Sequence, residues 1–178
     1  NMEVNHYPFT TKQLHVGHFK HRRVPHQMVD TPGLLDRPMD DRNAIELQAI
    51  AAIRHVGSLC IFLMDLSEQC GTSLEDQNNL LDEVKELLPE IDMIVVVSKA
   101  DLMEPLPVNW DEVKMFESEW DGEGEPELPV LIDEEGCVTI SAQEEVGVTA
   151  LRLEMVRRCK ANMESNPMEL PEGWHRQA

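Results

Sequence analysis

Two kinds of hydrophobic pattern alternate along this chain, and together they predict an α/β fold. Residues 59–64 and 93–97 are continuously apolar, which is typical of strands buried on both faces of a parallel sheet. Shorter strand patterns occur at 14–19, 27–30 and 137–141. Because helical patterns lie between these segments, we expect a three-layer domain whose sheet is mostly parallel.

Three amphipathic helices are expected. Asn43 can cap the first, either Thr72 or Ser73 can cap the second, and Pro89 ends the second. The last helix is followed by a tail that the composition predicts to be extended from 167 to 178. The residues expected on the buried faces are Ile45, Ala49, Ile53 and Val56 in the first helix, Leu74, Gln77, Leu81, Val84 and Leu88 in the second, and Val148, Leu151, Met155, Cys159 and Met163 in the third.

Charge is distributed unevenly along the 178 residues, which carry a net charge of −19. Residues 65–145 hold 24 acidic and 3 basic residues, whereas 1–64 and 146–178 are close to neutral. The acidic middle of the chain would repel a phosphate backbone. A phosphate-bearing partner is therefore expected near the cations Lys12, Lys20, Arg22, Arg23, Arg37 and Arg42.

Many of the acidic residues lie in 104–136, a segment that is also rich in Pro and Gly. We expect a helix over 111–120 and a loop or insertion over 121–135. No apolar run approaches the roughly 20 residues that a membrane-spanning helix needs, so we expect no membrane partner.

The cysteines and histidines show no metal-binding pattern. His15 and His18 are expected on opposite faces of a strand, and we assign no metal site to them. The cysteines form no CxxC pair and have no zinc-ligand spacing to histidine, so we expect core thiols in a reducing compartment. They are Cys60, Cys70, Cys137 and Cys159.

The segment Asp30-Thr31-Pro32-Gly33 directly follows a predicted strand. An Asp at a strand end can hold Mg²⁺ through the water shell of the ion. A Gly in the following turn lets a backbone N–H approach a terminal phosphate without a Cβ in the way. Alone, this DxxG pattern is also compatible with a plain turn.

The segment Ser98-Lys99-Ala100-Asp101 follows the strand of valines. The Asp101 carboxylate can accept two hydrogen bonds from the N1 and N2 donors of guanine, which adenine lacks, while the Lys99 stem lies over the base. The alternative is a strand end followed by a helix cap. After the last short strand, Ser141-Ala142 can place the Ala142 N–H near guanine O6, although this dipeptide has little specificity.

These three segments occur in the order found in guanine-nucleotide-binding P-loop proteins. Together with neighbouring stretches, they make the chain resemble the nucleolar GTP-binding protein group, which is related to the Obg-type GTPases. The resemblance is dense over about residues 3–102 and thin over 103–178. It is carried by YPFTTK (7–12), VGHF (16–19), DTPGLLDRP (30–38), DRNAIELQAI (41–50), FLMDLSEQCG (62–71) and VVVSKADL (95–102).

The resemblance implies a P-loop GTPase domain over 1–163 with a tail over 164–178, binding GTP or GDP with Mg²⁺. It makes Thr11 the switch I threonine and a magnesium ligand together with Asp30; Thr10 is the alternative to Thr11. Asp30 and Gly33 would then belong to switch II. The residues implied at the base are Ser98, Lys99, Asp101, Ser141 and Ala142.

Three features depart from that family pattern. The phosphate-binding GxxxxGKS loop does not occur in residues 1–178 and would be expected shortly before Asn1. The first strand, this loop and the first helix are therefore expected to be missing from the chain as given, which alone should not bind GTP tightly. Ser98 replaces the usual Asn, which should weaken binding. Leu34 stands where a Ras-like enzyme has a water-orienting Gln, so slow hydrolysis is expected and no catalytic residue is named.

The sequence supports three functional hypotheses. The first is a monomeric GTPase switch that docks on the pre-ribosomal large subunit, with rRNA and ribosomal proteins as partners. The resemblance places it in the nucleolus or nucleus, with a mitochondrial or plastid location left open. Here Arg37, Asp40, Asp41 and Arg42 are either switch II contacts or a solvated loop. The second hypothesis is a non-catalytic scaffold with a GTPase fold, and the third is a metabolic α/β protein with chance motifs.

Overall fold

The computed structural model describes residues 14–34, 42–103 and 137–165, together with Asp111 and Val113. In chain order the elements are β1 (His15–His21), β2 (Val24–Asp30), α1 (Ala44–Val56), β3 (Leu59–Asp65), α2 (Leu74–Leu87), β4 (Asp92–Ser98), a 3₁₀ turn (Ala100–Leu102), β5 (Val138–Thr139) and α3 (Val148–Ser165). The α/β class is confirmed. The predictions for Thr10, Thr11, Lys12, Arg37, Asp40, Asp41, 121–135 and 167–178 lie outside the described residues, as does the helix expected over 111–120 except for Asp111 and Val113.

The parallel sheet has the strand order β3-β4-β5. Its core consists of Ile94, Val96, Val138 and Ile140, against which residues of β3 and α3 pack. The two apolar runs therefore form neighbouring buried strands, as predicted. The exception is Leu63, which exposes 61% of its surface, so β3 is not buried on both faces throughout.

The first two strands form a separate antiparallel pair, so the expectation of a mostly parallel sheet holds only for β3–β5. Both strands are longer than predicted. The turn between them holds Arg22 at φ 45° and Arg23 at φ 69°, a left-handed conformation that two-residue hairpin turns require. Sequence reasoning missed this turn because Gly and Asn, its usual markers, are absent.

A cavity of about 190 Å³ lies between the antiparallel pair and the parallel sheet. Its lining comes from β2, α1, β3 and α3, and includes Met28, Ile53, Cys60 and Met155. Apolar side chains of both sheets therefore border one shared space.

The helix starts agree with the predicted caps. The Asn43 side chain accepts hydrogen bonds from the backbone N–H groups of Ile45 and Glu46, both at 2.9 Å, and the Glu46 carboxylate accepts from the Asn43 N–H at 2.9 Å. This is a capping box. Of the two candidates for α2, Ser73 is the cap, since its hydroxyl accepts from the Asp76 N–H at 3.1 Å.

The predicted buried faces are only partly confirmed. In α2, Gln77, Leu81 and Val84 are buried, and Leu88 is buried just beyond the helix end. The expectation for α1 was wrong at Ile45, which is exposed, while the capping residue Glu46 is buried instead.

Helix α3 buries fewer of its predicted apolar residues. Val148 and Met163, which lie near the two ends of this 18-residue helix, are exposed. Leu151 and Met155 pack on the core. Arg158 fixes the helix to the start of β4 by donating to the Met93 carbonyl at 2.9 Å. The helix continues through Ser165, and the division into a domain over 1–163 and a tail stays a prediction.

The four cysteines are free thiols, but only Cys60 is buried, and burial raises its pKa. Cys70, Cys137 and Cys159 are half-buried, so the expectation of core thiols holds for one of the four. Among the described helices, none is both long enough and apolar enough to cross a membrane.

Candidate functional site

The two longest strands of the parallel sheet end at the same edge. β3 ends at Asp65 and β4 ends at Ser98, and these residues lie directly opposite each other in the register. The Ser98 hydroxyl donates a hydrogen bond to the Met64 carbonyl at 2.8 Å, which ties the two strand ends together. The loops after these strands, 66–73 and 99–103, therefore start side by side.

The carboxylate of Asp65 gathers donors from both loops. Oδ2 accepts from the Lys99 ammonium at 2.7 Å and from the Cys70 N–H at 2.9 Å. Oδ1 accepts from the Ser67 N–H at 3.0 Å and also from the Ser67 hydroxyl. Burial alone would raise the pKa of Asp65, but the hydrogen bonds from Lys99 and Ser67 outweigh it and lower the pKa. Asp65 is therefore a buried, ionised anchor for the Lys99 side chain.

The Gln77 side chain holds this strand end from the other side. Its Oε1 accepts from the Asp65 N–H at 2.7 Å, and its Nε2 donates to the carbonyls of Asp65 and Thr72, both at 3.0 Å. The Glu68 carboxylate adds a cap on α2 by accepting from the Leu74 N–H at 2.8 Å. The loop 66–73 is thus held beside Lys99 by Asp65, by Gln77 of α2 and by its own Glu68.

Asp101 lies in the 3₁₀ turn, and the structure joins it to the last predicted motif. The Ser141 hydroxyl donates to Asp101 Oδ1, and this hydroxyl also accepts from the Glu144 N–H at 3.2 Å. Ser141 is completely buried. The Ala100 N–H donates to the Ile140 carbonyl at 3.2 Å, so the two segments are linked by backbone as well.

A turn over residues 142–145 comes after Ser141, and Ala142 is exposed in it. The turn is closed by a pair of backbone hydrogen bonds between Ser141 and Val146, both at 2.9 Å. Gly147 comes next at φ 77°, where an added Cβ would lie 2.5 Å from the Thr139 carbonyl oxygen. A glycine is therefore needed here for the chain to pass close to β5 and to hold Ser141 in place.

The structure thus brings together the predicted base-contacting residues Ser98, Lys99, Asp101 and Ser141 at one sheet edge, with Ala142 adjoining. Sequence reasoning missed Asp65, which directly follows the apolar run 59–64. Its signal was a carboxylate directly after a buried parallel strand, the position where ligand sites of open α/β sheets occur.

Asp30 and Gly33 are placed differently. Asp30 ends β2 and pairs with His15 in the antiparallel sheet, while Pro32 is buried and Gly33 exposed. Asp30 therefore lies on a different sheet from the strands that precede the base-contacting residues. The part of the chain that the structure describes contains no group of three His, Cys, Asp or Glu residues that could hold a metal ion. An oxygen ligand such as Asp30 nevertheless suits Mg²⁺, which keeps several waters and is bound through one or two carboxylates plus phosphates.

Arg42 overturns one expectation. It was counted among the cations open to a phosphate-bearing partner, or as part of a solvated loop or switch, but its side chain is completely buried. Its guanidinium is hydrogen-bonded to the Glu83 carboxylate of α2 and lies 3.9 Å from the Glu46 carboxylate of α1. Arg42 therefore links the start of α1 to α2 and offers no charge to a partner.

Comparison with known proteins identifies related chains. The family model described as nucleolar GTP-binding protein 1 matches residues 44–101. Nucleolar GTP-binding protein 1 of Kluyveromyces lactis is 36% identical over 169 residues, which are 95% of this chain and 25% of that protein. The protein of the same name from Drosophila melanogaster is 44% identical over 105 residues, which are 59% of this chain and 16% of that protein. The chain spans a quarter of the first relative and less of the second.

A solved structure agrees with these relatives. The crystal structure assigned to nucleolar GTP-binding protein 1 of Plasmodium falciparum superposes with a TM-score of 0.60 and 28% identity, covering 85% of this chain and 73% of that chain. The stretch matched by the family model includes Asp65 and the segment 98–101, whereas Ser141 lies outside it. The chain therefore belongs to the nucleolar GTP-binding protein 1 family.

Proposed function

We propose that this chain is the guanine-recognising part of a GTP-binding protein. The observation that carries the proposal is the contact between Asp101 and Ser141. A buried hydroxyl fixes one oxygen of a half-buried carboxylate at the carboxyl edge of a parallel sheet. A carboxylate held in this way can accept the N1 and N2 donors of guanine together, and the names of the relatives, which include GTP binding, support this choice of ligand.

Magnesium is part of the proposal. Asp30 would hold the ion through water, and Thr11 would supply a hydroxyl. The ion would neutralise phosphate charge beside the DxxG turn, where the exposed Gly33 leaves room for a phosphate oxygen. Leu34 cannot orient water by hydrogen bonding, so any GTP hydrolysis by the protein is expected to be slow without a partner.

The wider role follows the relatives named for the nucleolus. We propose a switch protein that acts in assembly of the large ribosomal subunit in the nucleolus and binds rRNA or ribosomal proteins. Of the six cations expected near such a partner, the three that the structure describes as exposed belong to the first hairpin: Lys20, Arg22 and Arg23. The acidic segment 65–145 would face away from RNA phosphates.

Calorimetric titration of the full-length protein with GDP, ADP and Mg²⁺ tests the nucleotide assignment. We expect GDP to bind about a hundredfold or more tightly than ADP, because a site built around the two guanine donors leaves its carboxylate unpaired with adenine. Equal binding of the two nucleotides would overturn the assignment. Tight GDP binding with no GTP hydrolysis, even with pre-ribosomal particles present, would favour the non-catalytic scaffold.

A further inference from the structure

Lys99 occupies a backbone conformation that a lysine does not adopt readily. Its φ is 54°, in the left-handed region, where the Cβ of an L-residue approaches the following carbonyl oxygen. The 3₁₀ turn helps to maintain this conformation through the hydrogen bond from the Leu102 N–H to the Lys99 carbonyl at 2.9 Å. The side chain beyond Cβ is held by a different residue.

That residue is Asp65, whose carboxylate lies 2.7 Å from the Lys99 ammonium. The Lys99 side chain is 42% exposed, whereas the Asp65 side chain is only 7% exposed. The ion pair thus joins a fixed, buried anion to a long cation that lies along the surface. A free lysine would lose much rotamer freedom on contacting a ligand, and a side chain already held in place loses less.

The anion in turn is fixed by groups that do not belong to the base-contacting motif. The backbone N–H groups of Ser67 and Cys70 donate to it, and Gln77 holds the backbone of the same residue from α2. The position of the Lys99 ammonium is therefore set by the loop 66–73. This loop has no predicted contact with nucleotide.

We infer that Asp65 is a positioning residue that holds the Lys99 side chain ready at the base-binding edge, with the loop 66–73 as its support. The inference rests on the proposed function, because it gives the ion pair a role in guanine-nucleotide binding. In the proposed site Asp65 contacts Lys99 and not the nucleotide, so removing its charge should act on binding only through Lys99.

A double-mutant cycle in the full-length protein tests this dependence. We expect Asp65→Asn to weaken GDP affinity about tenfold, since the lysine is no longer held. In a Lys99→Ala background the same substitution should change GDP affinity less than about twofold. The matched control is Asp92→Asn, which breaks the 3.0 Å ion pair with Arg158 at the opposite end of β4 and should leave GDP affinity unchanged. Circular dichroism spectra would be recorded to check that each variant is folded.

Equal losses of GDP affinity in the wild-type and Lys99→Ala backgrounds would show that Asp65 acts through the fold. No loss in either background would show that Asp65 plays no part in binding. Both results would overturn the inference.

A second measurement needs no nucleotide. Acetic anhydride should label Lys99 more slowly than the exposed Lys85, and Asp65→Asn should remove this difference. Unchanged labelling would overturn the ion pair itself. A wild-type protein that protects Lys99 but binds no GDP would instead overturn the proposed function, and with it the role of the pair in binding.

Discussion

The Ser141 hydroxyl donates a hydrogen bond to the Asp101 carboxylate although 40 residues separate them in sequence. The contact exists because β5 lies next to β4 in the parallel sheet, so that the segments after these two strands meet at one edge. The contact joins two turns, since Asp101 lies in a short 3₁₀ turn and Ser141 begins another turn. The base-recognition proposal depends on this pairing, and it gives the first two predictions.

Asp101→Asn in the full-length protein should weaken GDP binding about a hundredfold and relax the preference toward xanthine nucleotides. The amide places a donor where guanine presents donors, whereas xanthine has an oxygen at position 2. Calorimetry with GDP and XDP measures both effects. Unchanged affinity for GDP would mean that Asp101 does not contact the base.

Ser141→Ala removes the hydroxyl that holds Asp101. We expect a loss of about 1 kcal/mol in the free energy of unfolding and a several-fold weaker GDP affinity. Ser73→Ala is the control, because it removes only the cap of α2, with a stability loss of about 1 kcal/mol. If both variants bound GDP equally, the Ser141 hydroxyl would have only a structural role.

Arg42→Met should destabilise the protein by about 3 kcal/mol, because it leaves the buried Glu46 and the partly buried Glu83 without their cation. The control Arg157→Met breaks an ion pair whose arginine side chain is 65% exposed, and should cost less than about 1 kcal/mol. Thermal unfolding of both variants compares them directly. Similar melting temperatures would contradict the buried position of Arg42.

Acid should weaken the contribution of Asp65 to stability. Its pKa is lowered from the ordinary 3.8 in the folded protein, so the contribution is complete above that value and is lost as the pH falls through the lower folded value. The stability difference between wild type and Asp65→Asn should therefore be about 1 kcal/mol or more at pH 7 and shrink below about pH 4. Urea unfolding at a series of pH values measures it, and a difference that stays constant down to pH 2 would contradict the ion pair.

The exposed arginines of the first hairpin provide a test of the partner. Arg22→Glu combined with Arg23→Glu should weaken association with pre-ribosomal particles and flatten its dependence on salt, while GDP affinity is unchanged. Lys85→Glu combined with Lys160→Glu changes the net charge equally and should have little effect. RNA crosslinks that map mainly to 104–136 would contradict the proposed orientation.

The sequence predicted those parts of the fold that depend on interactions between residues close together in the chain. The apolar runs of β3 and β4 and the caps Asn43 and Ser73 are confirmed, since burial and capping depend on neighbouring residues. The resemblance implied that the segment 98–101 and Ser141 serve one site, and the structure places both at one edge of the parallel sheet.

Long-range pairing of polar groups could not be predicted in the same way. From the sequence, Arg42 is expected to be a surface cation, and only the fold shows that Glu83, 41 residues away, lies against it. From the sequence, Asp65 is only the residue that ends a strand, and only the fold shows that Lys99, 34 residues later, lies beside it. The exposure of Ile45, Leu63 and Met163 likewise depends on which neighbours cover each face, and a helical or strand period alone does not contain that information.

The ion pair across the ends of β3 and β4 also limits how this sequence can evolve. Replacing Lys99 with a neutral residue would leave the buried Asp65 carboxylate without its cation. Replacing Asp65 would release the Lys99 side chain and leave the N–H groups of Ser67 and Cys70 without their shared acceptor. A protein that carries only one of these two substitutions should be less stable than the original. Positions 65 and 99 should therefore be inherited as a unit, and among related sequences a change at one should be accompanied by a change at the other.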